Sequence, residues 1–290
     1  MASVEKIWHE LLAFGFDRDS LLINLGGGMI TDLGGFAASV FKRGIPFIHI
    51  PTSLTAQVDA AIGGKTAINI GDVKNQAGTF APAVRILIYP GFLETLPERE
   101  LKSGFAEVVK HALIMDADYW EIVKDFSMDA GKADWLGLLR RSVEIKQLIV
   151  EKDPMEHGFR KILNFGHSIG HAFESCPGRH SILHGEAIAA GMICEAYLSV
   201  QKMGLPESRL EDIIRLLFVH FAKLEISAED MDCMLKKIQH DKKNKNGKMM
   251  FSLLRSPGSC AFDCEISEDH ILESIEFYNK LPRNVEAEGR

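Results

Sequence analysis

The chain has 290 residues, of which 46% are hydrophobic and 25% charged, and this is the composition of a folded globular protein. Its 33 basic and 40 acidic residues give a formal net charge of −7, which argues against a general nucleic-acid-binding protein. No apolar run reaches the ~18 residues of a membrane span, and the start of the chain lacks an apolar signal core. We therefore expect a cytoplasmic protein without a nucleic-acid or membrane partner.

The first ninety residues alternate between strand and helix patterns, which predicts a parallel α/β layer. In chain order, the segments are a helix at 3–15, a strand at 21–25, a glycine turn at 26–28, a helix at 29–41, and strands at 47–50 and 84–88.

Helical periodicity dominates after Leu96-Pro97, chiefly at 98–197 and 208–240, before a short predicted strand at 249–254. We therefore predict an α/β domain, an all-α domain and a polar tail. Their predicted bounds are 1–96, 97–283 and 284–290.

The five cysteines are scattered, and only Cys260 and Cys264 lie close together in the sequence. No second pair completes a zinc knuckle. We therefore predict reduced thiols at these two positions and at Cys176, Cys194 and Cys233.

Three consecutive glycines, Gly26, Gly27 and Gly28, join the first predicted strand to the second predicted helix. Glycines at such a turn let the backbone and the first amides of the helix approach a pyrophosphate. The pattern is not a complete G-x-G-x-x-G motif, because its third glycine would fall on Thr31. A nucleotide loop and a plain tight turn both remain open at this point.

Two histidines, His167 and His171, stand four residues apart and share a helix face, and His184 follows in a Leu-His-Gly-Glu segment. Three protein ligands and one open position are typical of a catalytic zinc site. A carboxylate such as Glu107 could complete the set, although spacing does not select it from 40 acidic residues. Histidines that only cap or bridge helices are the alternative.

Several cations lie in polar or glycine-rich segments and could bind an acidic small molecule. Each is also compatible with a solvated surface charge. These residues are Lys65, Lys74 (with Asn75 in a predicted loop), Arg160, Lys242 and Lys243.

Together these segments resemble the sugar-phosphate cyclase family, and most closely its 3-dehydroquinate synthases. The matching segments follow the family's order along nearly the whole chain, which is more specific than any single motif. They are residues 26–33, 51–59, 63–69, 74–75, 104–107, 160–171, 183–186 and 241–243.

The resemblance implies an NAD-binding Rossmann-like domain, a helical domain and an active site between them. It also implies one divalent metal ion, zinc or cobalt, held by Glu107, His167 and His184. The implied NAD-contacting residues are Gly26, Gly27, Gly28, Asp32, Thr52, Ser53, Lys74 and Thr95.

The implied substrate is a phosphorylated sugar acid. The resemblance assigns its carboxylate to Lys65 and Arg160, and its phosphate to Asn75, His171 and Lys242. It assigns Arg43 to the phosphate site of a neighbouring subunit, which implies a homodimer. The other implied substrate-contacting residues are Asp59, Lys110, Lys146 and Asn164.

The implied reaction, a step of aromatic amino-acid biosynthesis, converts 3-deoxy-D-arabino-heptulosonate 7-phosphate into 3-dehydroquinate and phosphate. It combines transient oxidation by NAD, phosphate elimination, re-reduction and an intramolecular aldol closure, so the enzyme would be a lyase that regenerates its NAD. The alternatives are a cyclase with a valiolone or deoxy-inosose product, a metal-dependent alcohol dehydrogenase, and a catalytically weak or inactive truncated copy.

One departure from the family pattern concerns the N-terminal domain. The family normally has a further strand–helix segment before the glycine loop, and here only a short stretch precedes that loop. A missing segment would leave one sheet edge uncovered. We therefore expect an incomplete N-terminal domain, weakened NAD affinity and reduced stability.

Overall fold

The computed structural model describes residues 1–70, 73–128, 133–179, 181–239 and 248–282. It divides into two compact units, the first formed by Met1–Gly104 and Asp134–Met155, the second by Phe105–Ala133 and Glu156–Arg290. The predicted division at 96/97 differs from this one, because residues 134–155 fold with the α/β part. The predicted tail and Lys242, with Lys243, lie outside the described residues.

The described α-helices are α1 (Ala2–Ala13), α2 (Gly28–Val40), α3 (Glu98–Met115), α4 (Ala117–Lys124), α5 (Trp135–Lys152), α6 (His167–Glu174), α7 (His184–Met203), α8 (Glu207–His220), α9 (Ala228–Gln239) and α10 (Glu268–Lys280). The described strands are β1 (Leu22–Gly26), β2 (Phe47–Pro51), β3 (Lys65–Ile70), β4 (Val73–Phe80), β5 (Arg85–Ile86), β6 (Met249–Ser256) and β7 (Ser259–Ile266).

The first unit contains a parallel sheet in the order β1-β2-β5, which confirms the predicted α/β layer. Helix α2 packs against β1 and β2, and α1 is joined to α2 by a hydrogen bond of 2.9 Å from Trp8 Nε1 to the carbonyl oxygen of Ala37. Apolar side chains at helical spacing, including Val4 and Leu11, bury the inner face of α1.

An antiparallel hairpin, β3–β4, includes the two residues predicted to lie in a loop. The prediction of a loop at Lys74 and Asn75 is therefore wrong, because both residues belong to β4. The segment from Lys65 to Phe80 alternates poorly between apolar and polar residues, so its pattern gives little strand signal. The hairpin packs on α2, where Ile68 is buried against Phe36 and Ala37.

The second unit is mostly helical and is built around α7, whose residues from Gly185 to Ser199 are largely buried. Helices α6, α8 and α10 pack against α7. The second unit is not all-α as predicted, because β6 and β7 form an antiparallel hairpin that also contacts α7. No helix in the described part of the chain has the length and apolar character needed to span a bilayer.

The prediction of reduced thiols is wrong for one pair of cysteines. Cys176, just after α6, and Cys233, in α9, form a disulfide with their Cα atoms 6.1 Å apart. The packing of α6 against α9 brings together two thiols that are 57 residues apart in sequence, which no local spacing could indicate. Cys194, Cys260 and Cys264 are free thiols, as predicted.

A buried carboxylate, Asp230, caps the start of α9. It accepts hydrogen bonds from Arg179 Nε at 2.9 Å and from the amide and hydroxyl of Ser227 at 2.8 and 2.7 Å. Its second oxygen is also paired with Arg179 Nη2. The guanidinium, helped by Ser227, lowers the pKa of Asp230 from 3.8 to about 2.

Replacement of Asp230 by asparagine is expected to destabilise the fold in a pH-dependent way. A depressed pKa stabilises the native state above the unfolded-state value and loses that effect as pH falls through the native value. The variant should therefore lose about 2 kcal/mol of unfolding free energy at pH 7, and the difference should shrink as the pH falls from about 4 to about 2. Urea unfolding at each pH measures this, with the exposed Asp232→Asn in the same helix as the control. A difference independent of pH would contradict the prediction.

Candidate metal centre and nucleotide loop

Three side chains converge on one point in the second unit. One carboxylate oxygen of Glu107, Oε1, lies 3.5 Å from His167 Nε2 and 3.1 Å from His184 Nε2. Glu107 and His167 are buried, and His184 is partly exposed. The three side chains come from α3, α6 and α7, so this convergence depends on how three helices pack.

The remaining ring nitrogens of the two imidazoles face hydrogen-bond acceptors. His167 Nδ1 is 3.2 Å from the carbonyl oxygen of Phe165, and His184 Nδ1 is 3.4 Å from Glu174 Oε2. In a neutral imidazole, an acceptor at Nδ1 holds the proton on that atom and leaves Nε2 with the lone pair that a metal ion binds. One carboxylate oxygen and two imidazole nitrogens form a donor set that suits a divalent metal ion such as Zn²⁺. The residues present therefore fit the implied metal.

His171 offers a second possible ligand set. Its ring centroid lies 4.8 Å from that of His167 and 5.4 Å from that of His184. One ring nitrogen from each of the three histidines falls within 4.8 Å of the others. The predicted sharing of a helix face by His167 and His171 is confirmed, and geometry allows either Glu107 or His171 as the third ligand.

The two imidazoles differ in their electrostatics. Burial, and secondarily the charge of Lys110, lowers the pKa of His167 well below its ordinary value. Burial also lowers the pKa of His184, but hydrogen bonds from its ring to Glu107 and Glu174 outweigh burial and raise this pKa to about 9. Without a metal ion, the ring of His184 is therefore protonated at neutral pH and paired with two carboxylates.

Metal binding at this centre is expected to displace the proton of His184. A ligand that must lose a proton makes metal affinity rise by about tenfold per pH unit below its pKa. The affinity for Zn²⁺ should therefore increase steeply between pH 6 and 8, with close to one proton released per ion. Calorimetry in buffers of different ionisation enthalpy measures that proton, and pH-independent binding without proton release would contradict the expectation.

Helices α6 and α7 touch almost backbone to backbone near the centre. A Cβ added to Gly191 in α7 would lie 2.0 Å from the carbonyl oxygen of Gly166 and 2.7 Å from the amide of Gly170. Gly166 also has a φ of +80°, in the left-handed region that favours glycine. The small residues around the histidines therefore serve close helix packing, which fixes α6 against the helix that begins with His184.

The predicted glycine loop lies in the first unit, between β1 and α2. The amide of Thr52 donates to the carbonyl oxygen of Gly26 at 2.9 Å, and a Cβ on Gly27 would lie 3.2 Å from Ser53 Oγ. The loop and the segment after β2 are therefore neighbours at the carboxyl ends of two parallel strands. That edge, beside a helix N-terminus, is where α/β sheets bind nucleotides.

A cluster of charges, Asp32, Asp59 and Lys146, also lies in the first unit. Lys146 Nζ in α5 is paired with Asp59 Oδ1, although the two residues are 87 positions apart. Burial, and secondarily the nearby Asp59 charge, raises the pKa of Asp32 to about 7. The fold thus brings Asp59 and Lys146, which the resemblance assigns to substrate, close to Asp32, which it assigns to NAD.

The other predicted residues have varied settings. In the second unit, Arg160 is 2% exposed, Lys110 is paired with Glu107 in α3, and Asn164 Nδ2 donates to Glu156 Oε1 at 3.2 Å. The remaining ones are exposed in the first unit: Lys65 in β3, Asn75 in β4, Arg43 in a turn after α2, and Thr95 at the end of a 3₁₀ turn. Lys74 lies in β4, and its side chain lies outside the described part.

Two carboxylates near the centre were missed in the sequence. Glu174 follows His171 by three residues and so shares its helix face, a spacing that could have revealed it. Glu195 is fully buried in α7 and accepts hydrogen bonds from backbone amides at the start of α6. The sequence feature that could have revealed Glu195 is that it is a single acidic residue within the long apolar run of α7.

The chain matches two protein families along most of its length. The 3-dehydroquinate synthase N-terminal family matches residues 1–103, and the 3-dehydroquinate synthase C-terminal family matches residues 104–244. A 3-dehydroquinate synthase of Parabacteroides distasonis is 44% identical over 281 residues, which cover 96% of this chain and 80% of that protein.

Solved structures with the same fold include two other cyclases. A 2-epi-5-epi-valiolone synthase from Streptomyces hygroscopicus, with NAD⁺ and Zn²⁺ bound, is 30% identical with a TM-score of 0.84, over 96% of this chain and 79% of that chain. A 2-deoxy-scyllo-inosose synthase, complexed with carbaglucose-6-phosphate, NAD⁺ and Co²⁺, is 27% identical with a TM-score of 0.83, over 94% and 78%. These matches confirm the predicted fold class.

Proposed function

Because the chain belongs to the 3-dehydroquinate synthase family, we propose that Glu107, His167 and His184 bind one divalent metal ion that its reaction requires. The convergence of Glu107 Oε1 on the Nε2 atoms of both histidines is the observation that carries this proposal. A metal ion bound there would polarise a substrate alcohol oxygen and lower its pKa.

The activity is the conversion of 3-deoxy-D-arabino-heptulosonate 7-phosphate into 3-dehydroquinate and phosphate, a lyase reaction. A bound NAD would supply a transient acceptor for a substrate hydride, without net consumption of the cofactor. We assign its pyrophosphate to the loop of Gly26, Gly27 and Gly28, with Asp32, Thr52, Ser53, Lys74 and Thr95 as further contacts. The hydrogen bond from the Thr52 amide to Gly26 supports the assignment of Thr52 and the glycines to one site.

Several cations would bind the two acidic groups of the substrate. We assign the carboxylate to Lys65 and Arg160, since a guanidinium binds a carboxylate with two parallel hydrogen bonds. We assign the phosphate to Asn75, His171 and Lys242. His171, beside the metal centre rather than in it, would then donate a proton to a phosphate oxygen in a hydrogen bond.

The remaining assigned residues would orient the substrate and the charges around it. Lys146 fixes the direction of the Asp59 carboxylate, and Lys110 holds the Glu107 oxygen that does not face the histidines. Asn164, held by Glu156, would offer an amide to a substrate hydroxyl. Since a multiply anionic substrate passes through several steps, such fixed charges act mainly by positioning and electrostatics.

We propose a homodimer in which Arg43, exposed in this structure, reaches the phosphate site of the partner subunit. Its backbone has a φ of +71° in the turn after α2. If the protein is a C2 dimer of this kind, co-expressing Arg43→Ala with Arg160→Lys should restore about a quarter of wild-type activity, because half of the dimers are mixed and each has one complete site. Activity no greater than the mean of the two parent variants would contradict the shared site.

The activity is tested with purified protein, Zn²⁺, NAD and three candidate sugar phosphates. Equal release of phosphate and 3-dehydroquinate from the heptulosonate phosphate, without net NADH, is expected. Turnover of sedoheptulose 7-phosphate or glucose 6-phosphate instead would indicate a valiolone-type or inosose-type cyclase. Net accumulation of NADH would indicate a dehydrogenase, and the lack of any turnover with bound NAD and metal would indicate an inactive copy.

A further inference from the structure

The start of α6, which carries His167 and His171, is held by a side chain from another helix. Its N-cap residue is Gly166, which has no side chain to offer. The amide of Gly166 donates to Glu195 Oε2 at 2.6 Å, and the amides of Ser168 and Ile169 donate to Glu195 Oε1 at 3.0 and 3.2 Å. Both oxygens of this carboxylate are therefore engaged by the first turn of α6.

The setting of Glu195 makes these hydrogen bonds strong. The residue is 0% exposed, in the interior of α7. A buried carboxylate is costly unless hydrogen bonds compensate for lost water, and hydrogen bonds to an ionised acceptor are about twice as strong as neutral ones. Its position at a helix N-terminus adds a favourable interaction with the helix dipole.

The three bonded amides lie on both sides of His167. They fix the backbone at residues 166, 168 and 169, while the imidazole itself is oriented by the carbonyl oxygen of Phe165. The close contact of Gly191 with Gly166 stops α6 from moving toward α7. The hydrogen bonds to Glu195 therefore hold the start of α6 against α7. The contact between Gly191 and Gly166 limits how closely the two helices approach.

We propose that Glu195 is a positioning residue of the metal centre, which sets the place of His167 relative to His184. Glu195 and His184 belong to the same helix, so one rigid element holds the second imidazole directly and the first through three backbone amides. This inference rests on the proposed metal site. It adds a residue that acts on the metal centre through the backbone amides of Gly166, Ser168 and Ile169.

The test compares metal binding by the wild type and the Glu195→Gln variant, both prepared metal-free. An amide side chain replaces one acceptor oxygen with a donor and so loses at least one of the three hydrogen bonds. The affinities for Zn²⁺, by chelator competition, and for Co²⁺, by its absorption spectrum, should fall by about 10–100-fold, as for other residues that orient metal ligands. At limiting zinc kcat should fall while KM for the substrate stays the same, and excess zinc should restore kcat.

Asp230→Asn is the matched control, since it also removes a buried carboxylate that caps a helix in the same unit. It should lower stability but keep the wild-type affinity for metal. If Glu195→Gln is less stable yet binds zinc as tightly as the wild type, Glu195 is only a helix cap and the proposal is overturned. If the glutamine variant does not fold, metal affinity and stability are compared in Glu195→Asp, which keeps the charge on a shorter side chain. Failure of both variants to fold would also overturn the proposal. A wild type that binds no metal would instead overturn the proposed function together with this inference.

Discussion

The replacement of Glu107 by glutamine is expected to remove both the bound metal ion and the activity. The change preserves shape but takes away the negative charge that faces His167 and His184. Loss of a direct ligand should weaken zinc binding by at least ~100-fold, the upper end of the effect of changing an outer partner. Metal content after dialysis and the rate of phosphate release measure the two losses.

The variant also breaks the buried ion pair between Glu107 and Lys110, which is 1% exposed. Removal of one member of a buried ion pair costs about 3–5 kcal/mol, so lost activity could reflect unfolding. The double variant Glu107→Gln/Lys110→Met also removes the charge of Lys110. It should regain stability but should not regain metal binding. Glu98→Gln in the same helix, exposed and paired with Lys102, is the neutral control. A folded double variant that binds zinc normally would exclude Glu107 as a ligand.

The replacement of Arg160 by lysine is expected to lower kcat/KM for the heptulosonate phosphate by ~100-fold. Lysine keeps the charge but loses the planar fork that binds a carboxylate with two hydrogen bonds, and hydrogen bonds to charged groups contribute about 1.5–3 kcal/mol. Because the lost contact is to the carboxylate, binding of sedoheptulose 7-phosphate, which lacks that group, should stay unchanged. Competition assays with both compounds measure the two affinities.

The matched control for this variant is Arg179→Lys, which alters a guanidinium bound to Asp230. It should reduce stability and leave the preference between the two compounds unchanged. Equal loss of affinity for both compounds in the Arg160 variant would assign Arg160 a structural role. It would also favour a cyclase whose substrate has no carboxylate.

The strand–glycine–helix–strand order of the first unit was predictable because β1 and β2 are short, mostly apolar runs bounded by glycine and proline. The β3–β4 hairpin was missed because the segment from Lys65 to Phe80 is polar and rich in small residues. The place of α5 in the first unit was also missed. Its pairing of Lys146 with Asp59 joins residues that are distant in sequence, and helical periodicity says nothing about such a partner.

At the candidate site, too, only local sequence patterns were predictable. Spacing alone identified His167 and His171, but Glu107 came from family resemblance, since an acidic residue in a helix is common. The disulfide between Cys176 and Cys233 and the cap formed by Glu195 depend on helix packing. Both join residues that are distant in sequence and that only the folded chain brings together.

The most direct measurement is anomalous diffraction at the zinc edge from crystals of the zinc-loaded protein. We expect a single peak bonded to a Glu107 oxygen and to Nε2 of His167 and His184, at about 2.0–2.2 Å from each. A peak held by His171 in place of Glu107, with Glu107 still paired to Lys110 alone, would contradict it. So would the absence of a peak at these side chains.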